Sequence, residues 1–111
     1  MEATARQKNI WMTARKLRRV LDMIRGKGFI EAVAILKTSP YRASELVLKK
    51  LVEAAHSAVQ QQGATFQTLV VSYAVADEGP THRRFKPRAQ GRVYQRLKRT
   101  AHLTVRVKQV V

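Results

Sequence analysis

The sequence predicts an α+β fold: three helices packed on one face of a small three-stranded antiparallel sheet, with a long projecting β-hairpin. Three observations predict it. The hydrophobic period is 2 from Glu2 to Lys8, helical from Thr13 to Gln62, and 2 again on either side of a central interruption from Thr65 to Lys108. The two extended stretches of the second half are apolar on one face and polar or basic on the other, as in an antiparallel sheet covered by helices on one side only. Between Asp77 and Leu97 the alternation fails altogether, and cations replace the apolar residues.

Glu2 to Lys8 alternates Ala3 and Ala5 with Thr4, Arg6 and Lys8, which suits a short edge strand. Thr13 reads as an N-cap, followed by Leu17, Val20, Leu21 and Ile24 at the i, i+3, i+4, i+7 spacing of a buried helical stripe, with Gly26 and Gly28 as the stop. Phe29 to Lys37 is a shorter helix through Ile30, Val33, Ala34 and Leu36. Ser39 and Pro40 then restart the chain as N-cap and first helical residue, a position where the missing N–H of proline costs nothing. The third helix runs from about Tyr41 to Gln62, with Leu46, Val47, Leu51, Ala54, Ala55, Ala58 and Val59 as its inner stripe and Gly63 as its end. Ala54, Ala55 and Ala58 permit close approach to a sheet or to the first helix.

Thr65 to Ala76 is a strand with Leu69, Val71, Tyr73 and Val75 on one face. Leu97, Ala101, Leu103, Val105 and Val107 repeat the pattern, while Lys98, Thr100, His102, Thr104, Arg106 and Lys108 take the other face. Between these strands Arg83, Arg84, Lys86, Arg88, Arg92 and Arg96 cannot be bedded in a core. Pro80 and Pro87 cannot donate to a ladder and belong at edges or bulges, and Gly79 and Gly91 permit turns. The expected organisation is one domain over residues 1–111, with 79–96 as an extended hairpin arm that turns near Ala89 and Gln90. Ten residues per limb at about 3.3 Å each would reach about 30 Å from the body.

With 22 Lys and Arg against 7 Asp and Glu, the 111-residue chain has a formal charge of +15. The excess is uneven. Residues 1–78 carry twelve basic and all seven acidic side chains, whereas residues 79–111 carry ten basic and no acidic ones. Such a balance calls for a polyanionic partner. The first helix adds Arg15, Lys16, Arg18 and Arg19 at its N-terminal end, where the helix dipole disfavours cations by about 0.3 to 1 kcal/mol each and a bound anion would offset that. A bound oxyanion and a merely solvated basic face both account for those four residues. Phe85 and Tyr94 are either stacking platforms for bases or packing plugs across the ribbon.

Other chemistries are poorly served. There is no cysteine, hence no disulfide framework and no thiolate metal site. His56, His82 and His102 lie at no ligand spacing, the acids of the helices are scattered, and no phosphate loop or nucleophile elbow occurs, so no enzyme activity, cofactor, metal or small-molecule substrate is expected. No apolar run reaches the roughly 18 residues of a membrane span, and a soluble intracellular protein that does not form homo-oligomers is the default.

The runs DEGP at Asp77 to Pro80, RRFKPRAQGR at Arg83 to Arg92 and LKRTAHLTV at Leu97 to Val105, with ARKLRRVLDMIRGK at Ala14 to Lys27, resemble the bacterial large-subunit ribosomal protein L-twenty-two family over nearly the whole chain. Trp11 is unusual for that family. The resemblance implies a structural protein of the large ribosomal subunit that binds its ribosomal RNA, aids assembly, and lines the nascent-peptide exit tunnel with its hairpin. It implies that Arg83, Arg84 and Lys86 lie where the tunnel narrows; taken with the charge pattern, RNA contacts are expected for Arg15, Lys16, Arg18, Arg19, Arg83, Arg84, Lys86, Arg88, Arg92, Arg96, Lys98, Arg99 and His102. The tip Arg88, Ala89, Gln90, Gly91 and Arg92 would face the tunnel. Large-subunit ribosomal RNA, other large-subunit ribosomal proteins and the nascent peptide are the implied partners, in a cytoplasmic or an organellar ribosome. Read without the resemblance, an architectural DNA-binding protein with a basic β-arm is the alternative.

Overall fold

In the structure, a computed structural model, residues 2–87, 91 and 93–109 are described, those at 84–87 and 93–96 by their backbone alone. The chain opens with strand β1 (Glu2–Ile10), two residues longer than its alternation suggests. Ala3 and Ala5 point into the core. The extra length comes from a bulge between Gln7 and Ile10, where Asn9 takes a positive φ of 56°. One added residue reverses the side on which the next side chains fall, so Ile10 turns inward and is buried.

Helix α1 (Ala14–Ile24) buries Ala14, Leu17, Val20, Leu21 and Ile24, the predicted stripe. Thr13 holds the N-cap position, but its hydroxyl makes no capping bond. Helix α2 (Phe29–Thr38) corrects the predicted face: Ala32 and Leu36 are buried, and Ile30 is 56% exposed. Ile30 and Ala34 each stand two residues from Ala32, about 200° round the helix, and so belong to the opposite side. Helix α3 begins at Ala43 rather than Tyr41 and runs to Gln62. Ser39 is spent on the turn before it: its N–H reaches Leu36 O, while its Oγ accepts the Tyr41 N–H at 3.3 Å and the Ser44 hydroxyl at 2.7 Å. The α3 stripe of Val47, Leu51, Ala54, Ala55 and Ala58 is buried, and Gly63, at φ 70°, ends the helix.

Strands β2 (Leu69–Glu78) and β5 (Ala101–Gln109) complete an antiparallel sheet of order β1-β5-β2, so the last strand is the central one. Three helices lie on its inner face, where Ala101, Leu103, Val105 and Val107 are buried. Along β2 the expected apolar face switches. Val71 pairs with Val107 but Tyr73 with Arg106, leaving Ser72 as a bulge. Leu69 and Val71 point inward before it, Ala74 and Ala76 after it, and Tyr73 and Val75 are carried to the outer face. There Tyr73 lies under the Arg106 guanidinium, 4.9 Å from its ring centroid.

The free edge of β2 is closed by the end of α1. Val71 exchanges backbone bonds with the turn after the helix, donating to Lys27 O at 2.9 Å and accepting from Gly26 N–H at 3.1 Å. Further along, Arg25 donates Nε and Nη2 to Ala74 O at 3.2 and 2.7 Å, and Arg18 donates Nε to Ala76 O at 3.0 Å. Side-chain cations thus occupy carbonyls that an open edge would offer to another chain.

The arm is a separate two-stranded sheet, β3 (His82–Pro87) against β4 (Val93–Lys98), paired from His82 with Lys98 to Pro87 with Val93. Its boundary with the body differs from the predicted one. Leu97 is the penultimate residue of β4 and 51% exposed, whereas Thr100, assigned to the outer face, is 2% exposed. The body and arm ladders are interrupted at Gly79–Thr81 and at Arg99–Thr100, so the alternation of one continuous strand does not carry across. The molecule measures 65 × 25 × 17 Å, with a radius of gyration of 17.2 Å where a compact chain of this length would have about 13 Å.

Candidate nucleic-acid interface

The root of the arm is held by backbone groups and one hydroxyl. Gly79 N–H donates to Thr100 O at 2.9 Å, and Thr100 Oγ1 donates to Pro80 O at 2.6 Å. A side chain at position 79 would collide with this arrangement, because a Cβ there would lie 2.6 Å from Thr100 Oγ1 and 3.1 Å from His102 Cε1. The first rung of the arm then rests on Trp11: the His82 ring sits 5.0 Å from the indole at 45°, and Lys98 Nζ is 5.9 Å from the ring centroid.

This docking brings the start of α1 against the arm. Arg99 is shared by three adjoining clefts, which bring it beside Arg15 and Arg18 on one side and beside Lys16, Arg19 and Arg42 on the other. Two acids reach the same region, Glu78 and Asp22, and Asp22 is already bonded to Arg25 at 2.6 Å. Among the described residues, Arg15, Lys16, Arg42, Lys98 and Arg99 form no salt bridge. The result is a strongly positive concave surface where helix and arm meet, suited to anionic oxygen atoms that can approach several cations at once.

Of the residues singled out in the sequence, Arg15, Lys16, Arg18, Arg19, Lys98 and Arg99 come together here, all exposed. Two of them also serve the body. Arg18 spends its Nε on β2, and Arg19 lies flat on Tyr41, 3.9 Å from the ring centroid. Arg83 is exposed on β3. Arg84, Lys86 and Arg96 have their backbones in the arm, but their side chains, with those of Phe85 and Tyr94, lie outside the described residues. The same holds for Arg88, Ala89, Gln90 and Arg92 of the tip, while Gly91 has a φ of 69°.

His102 has a different setting. Its Nδ1 accepts the Asn9 N–H at 3.1 Å and so closes the β1 bulge, in a cleft shared with Arg6, Lys8, Tyr73 and Arg106. His56 packs its edge on Phe66, 5.7 Å away at 83°, so the three histidines do separate structural work. Among the described residues no group of His, Asp and Glu side chains could hold a metal ion, and no helix is long and apolar enough to cross a membrane.

The sequence reading missed Arg42 and Trp11. Arg42, within the stretch expected to be the third helix, stands instead at the N-cap of α3 and faces the arm root. For Trp11 there was a signal: a lone tryptophan in a polar segment directly before a basic helix.

Comparison with known proteins gives a consistent result. A family profile described as ribosomal protein L22p/L17e matches residues 5–108. A protein of Acaryochloris marina named large ribosomal subunit protein uL22 is 51% identical over 105 residues, covering 95% of this chain and 88% of that protein. One of the same name from Crocosphaera subtropica is 52% identical over 106 residues, 96% of this chain and 88% of its own. Another from Clostridium novyi is 48% identical over 109 residues, 98% of each.

Proposed function

The chain belongs to the ribosomal protein L22p/L17e family, and from that membership and the basic surface at the arm root we propose that it binds large-subunit ribosomal RNA as a structural part of the large ribosomal subunit. Its role is structural rather than enzymatic, in keeping with its relatives. The relatives' name supports ribosomal RNA and other large-subunit proteins as partners, in the ribosome of the cytoplasm.

The observation that carries the RNA reading is the convergence on Arg99. Cations that the sequence scatters over α1, the start of α3 and the end of β4 form one concave surface with few acids nearby. Phosphates spaced along an RNA backbone meet such a surface at several points, and each contact releases counterions. Specificity would come from the shape of the RNA, since A-form grooves hide base edges from side chains.

In this proposal residues 1–111 form one domain, in which the body anchors to RNA through α1 and the arm root. The arm, 79–96 by sequence and ending at Lys98 by its hydrogen bonds, extends between RNA segments to the wall of the exit tunnel, with its tip toward the nascent peptide. The separate β3-β4 ladder and the 65 Å length of the molecule support an arm that works away from the body.

Binding of the chain to large-subunit ribosomal RNA fragments at increasing salt tests the reading. If about eight cations each neutralise a phosphate, the plot of log K against log salt should have a slope of about −6 to −7. Arg99→Glu should lower affinity at every salt concentration and flatten that slope. A slope near zero, or equal affinity for duplex DNA in competition, would overturn it.

A further inference from the structure

We propose that Trp11 and the groove beside it form a binding site for one unpaired RNA nucleotide, its base stacked on the indole and its flanking phosphates held by Lys16, Arg42, Lys98 and Arg99. This rests on the RNA-binding function proposed above and adds a base-contacting residue to a surface otherwise made for phosphates.

Trp11 is the only tryptophan of the chain, and it is 54% exposed. An indole is a large, rigid apolar surface, and beyond its contact with the His82 ring this one stands mostly in water. Disorder is not that explanation. Ile10 before it is buried, Met12 after it packs on the core, and a backbone bond from Met12 N–H to Ile10 O at 2.7 Å fixes the turn between them. The ring is further braced by His82 and approached by Lys98. The indole is therefore held in place and presented, so a stacked partner would meet a surface that is already ordered.

What lies next to it decides the class of partner. Trp11 lines a groove of ≈ 410 Å³, within the range of about 300 to 1,000 Å³ usual for small-ligand clefts. Its other charged lining residues are Lys16, Arg19, Arg42, Lys98 and Arg99, with no acid among them. An apolar peptide segment seated on the indole would strip water from five cations and return nothing to them. A nucleotide brings a flat π surface and anionic oxygens a sugar's length apart, and so answers both halves of the groove. The base must be unpaired, because paired bases in an A-form helix have their faces already stacked. Stacking of this kind is tolerant of base identity, since every base has a π face.

Being the sole tryptophan, Trp11 reports its own occupancy by fluorescence. The full chain is titrated with an unpaired RNA hexamer, with an abasic ribose-phosphate chain of the same length, and with an RNA duplex. Quenching by the hexamer and not by the other two is expected. Trp11→Ala should weaken hexamer binding about ten-fold or more, Trp11→Phe should keep most of the affinity, and the salt slope of Trp11→Ala should stay that of the parent. Equal quenching by the abasic chain, or unchanged hexamer affinity in Trp11→Ala while salt-dependent RNA binding persists, overturns the nucleotide site and leaves the broader RNA function standing. Loss of all binding to ribosomal RNA by the parent chain would instead overturn both. The comparison of hexamer with abasic chain uses the unaltered protein, so it decides the matter even if Trp11→Ala folds poorly.

Discussion

Gly79→Ala puts one methyl group into the hinge between body and arm. The new Cβ would lie 2.6 Å from Thr100 Oγ1 and 3.1 and 3.3 Å from His102 Cε1 and Nε2. Neither neighbour is free to retreat. Thr100 is buried and its hydroxyl is committed to Pro80 O, while the His102 ring is held by the Asn9 N–H. Relief requires either rotating the Thr100 hydroxyl off its acceptor or parting the strands at the Gly79–Thr100 backbone bond. Overpacking of this kind costs about 1 to 3 kcal/mol, and loss of the hydroxyl bond to the part-buried Pro80 carbonyl about 0.5 to 1.5 kcal/mol. Since the cheaper relief route is the one taken, a loss of about 1 to 2 kcal/mol is expected, read as a fall of about 0.5 to 1.5 M in the urea midpoint. Thr100→Ala removes the atom in the way. Gly79→Ala made in that background should therefore cost at least about 1 kcal/mol less than in the parent, whereas independent sites add to within about 0.3 to 0.5 kcal/mol. Strict additivity in this cycle would refute the Thr100 hydroxyl as the obstacle and shift the cause to the His102 ring or the backbone.

Two further outcomes follow from the same hydrogen bonds. Arg25→Ala leaves Ala74 O at the edge of β2 with neither of its two guanidinium donors; because that arginine is partly exposed, water can replace them, and a loss of about 1 kcal/mol by urea unfolding is expected, with Arg25→Lys recovering only part of it. Replacing residues 83–96 by a short Asn-Gly turn removes none of the described members of the buried cluster, so the body should still unfold cooperatively, within about 1 kcal/mol of the parent, while affinity for ribosomal RNA falls; loss of the cooperative transition would show that arm and body are one folding unit.

Helix positions were legible from the sequence wherever an apolar stripe had three or more full turns to declare itself, as in α1 and α3. Shorter or interrupted patterns misled in specific ways. In α2, the run Phe29–Leu36 is apolar at every position but Glu31, so period alone could not choose between Ile30 and Ala32 as the inward residue; contact with α3 and the sheet chose. In β2, strict alternation put Tyr73 and Val75 with Leu69, but a bulge is one residue long and Ser72 carries no glycine or proline to announce it. The arm was recognisable because arginine and proline exclude themselves from a core, yet its root was misplaced, β4 running two residues past Arg96 to Lys98, since Leu97 and Thr100 each fit an extended strand equally well. What determines the root is the Gly79, Pro80 and Thr100 contact, a tertiary fact between residues twenty apart. The candidate site was half legible for a related reason. Charge identified the α1 and arm cations separately, and only the fold shows that Arg42 and Trp11 stand with them.

Counting cations also conceals a difference in how they are held. Arg18 and Arg19 carry the same charge as Arg15 and Lys16, but the body fixes them: one by its Nε on Ala76 O, the other by its face on Tyr41. In Arg18 that bond uses only one of the five guanidinium N–H groups and leaves the two terminal amino groups for another acceptor. A long side chain immobilised on binding loses about 0.5 to 1.5 kcal/mol of rotamer entropy, and a guanidinium already anchored by the protein has lost part of this before RNA arrives. In the proposed complex, then, Arg18 and Arg19 would set the register of the RNA on the body, while Arg15, Lys16 and Arg99, with no ion pair among the described residues, would adapt to it. The same hydrogen bond that closes the edge of β2 would thereby orient a phosphate contact, and the fold of the body and its hold on RNA would share a residue rather than compete for it.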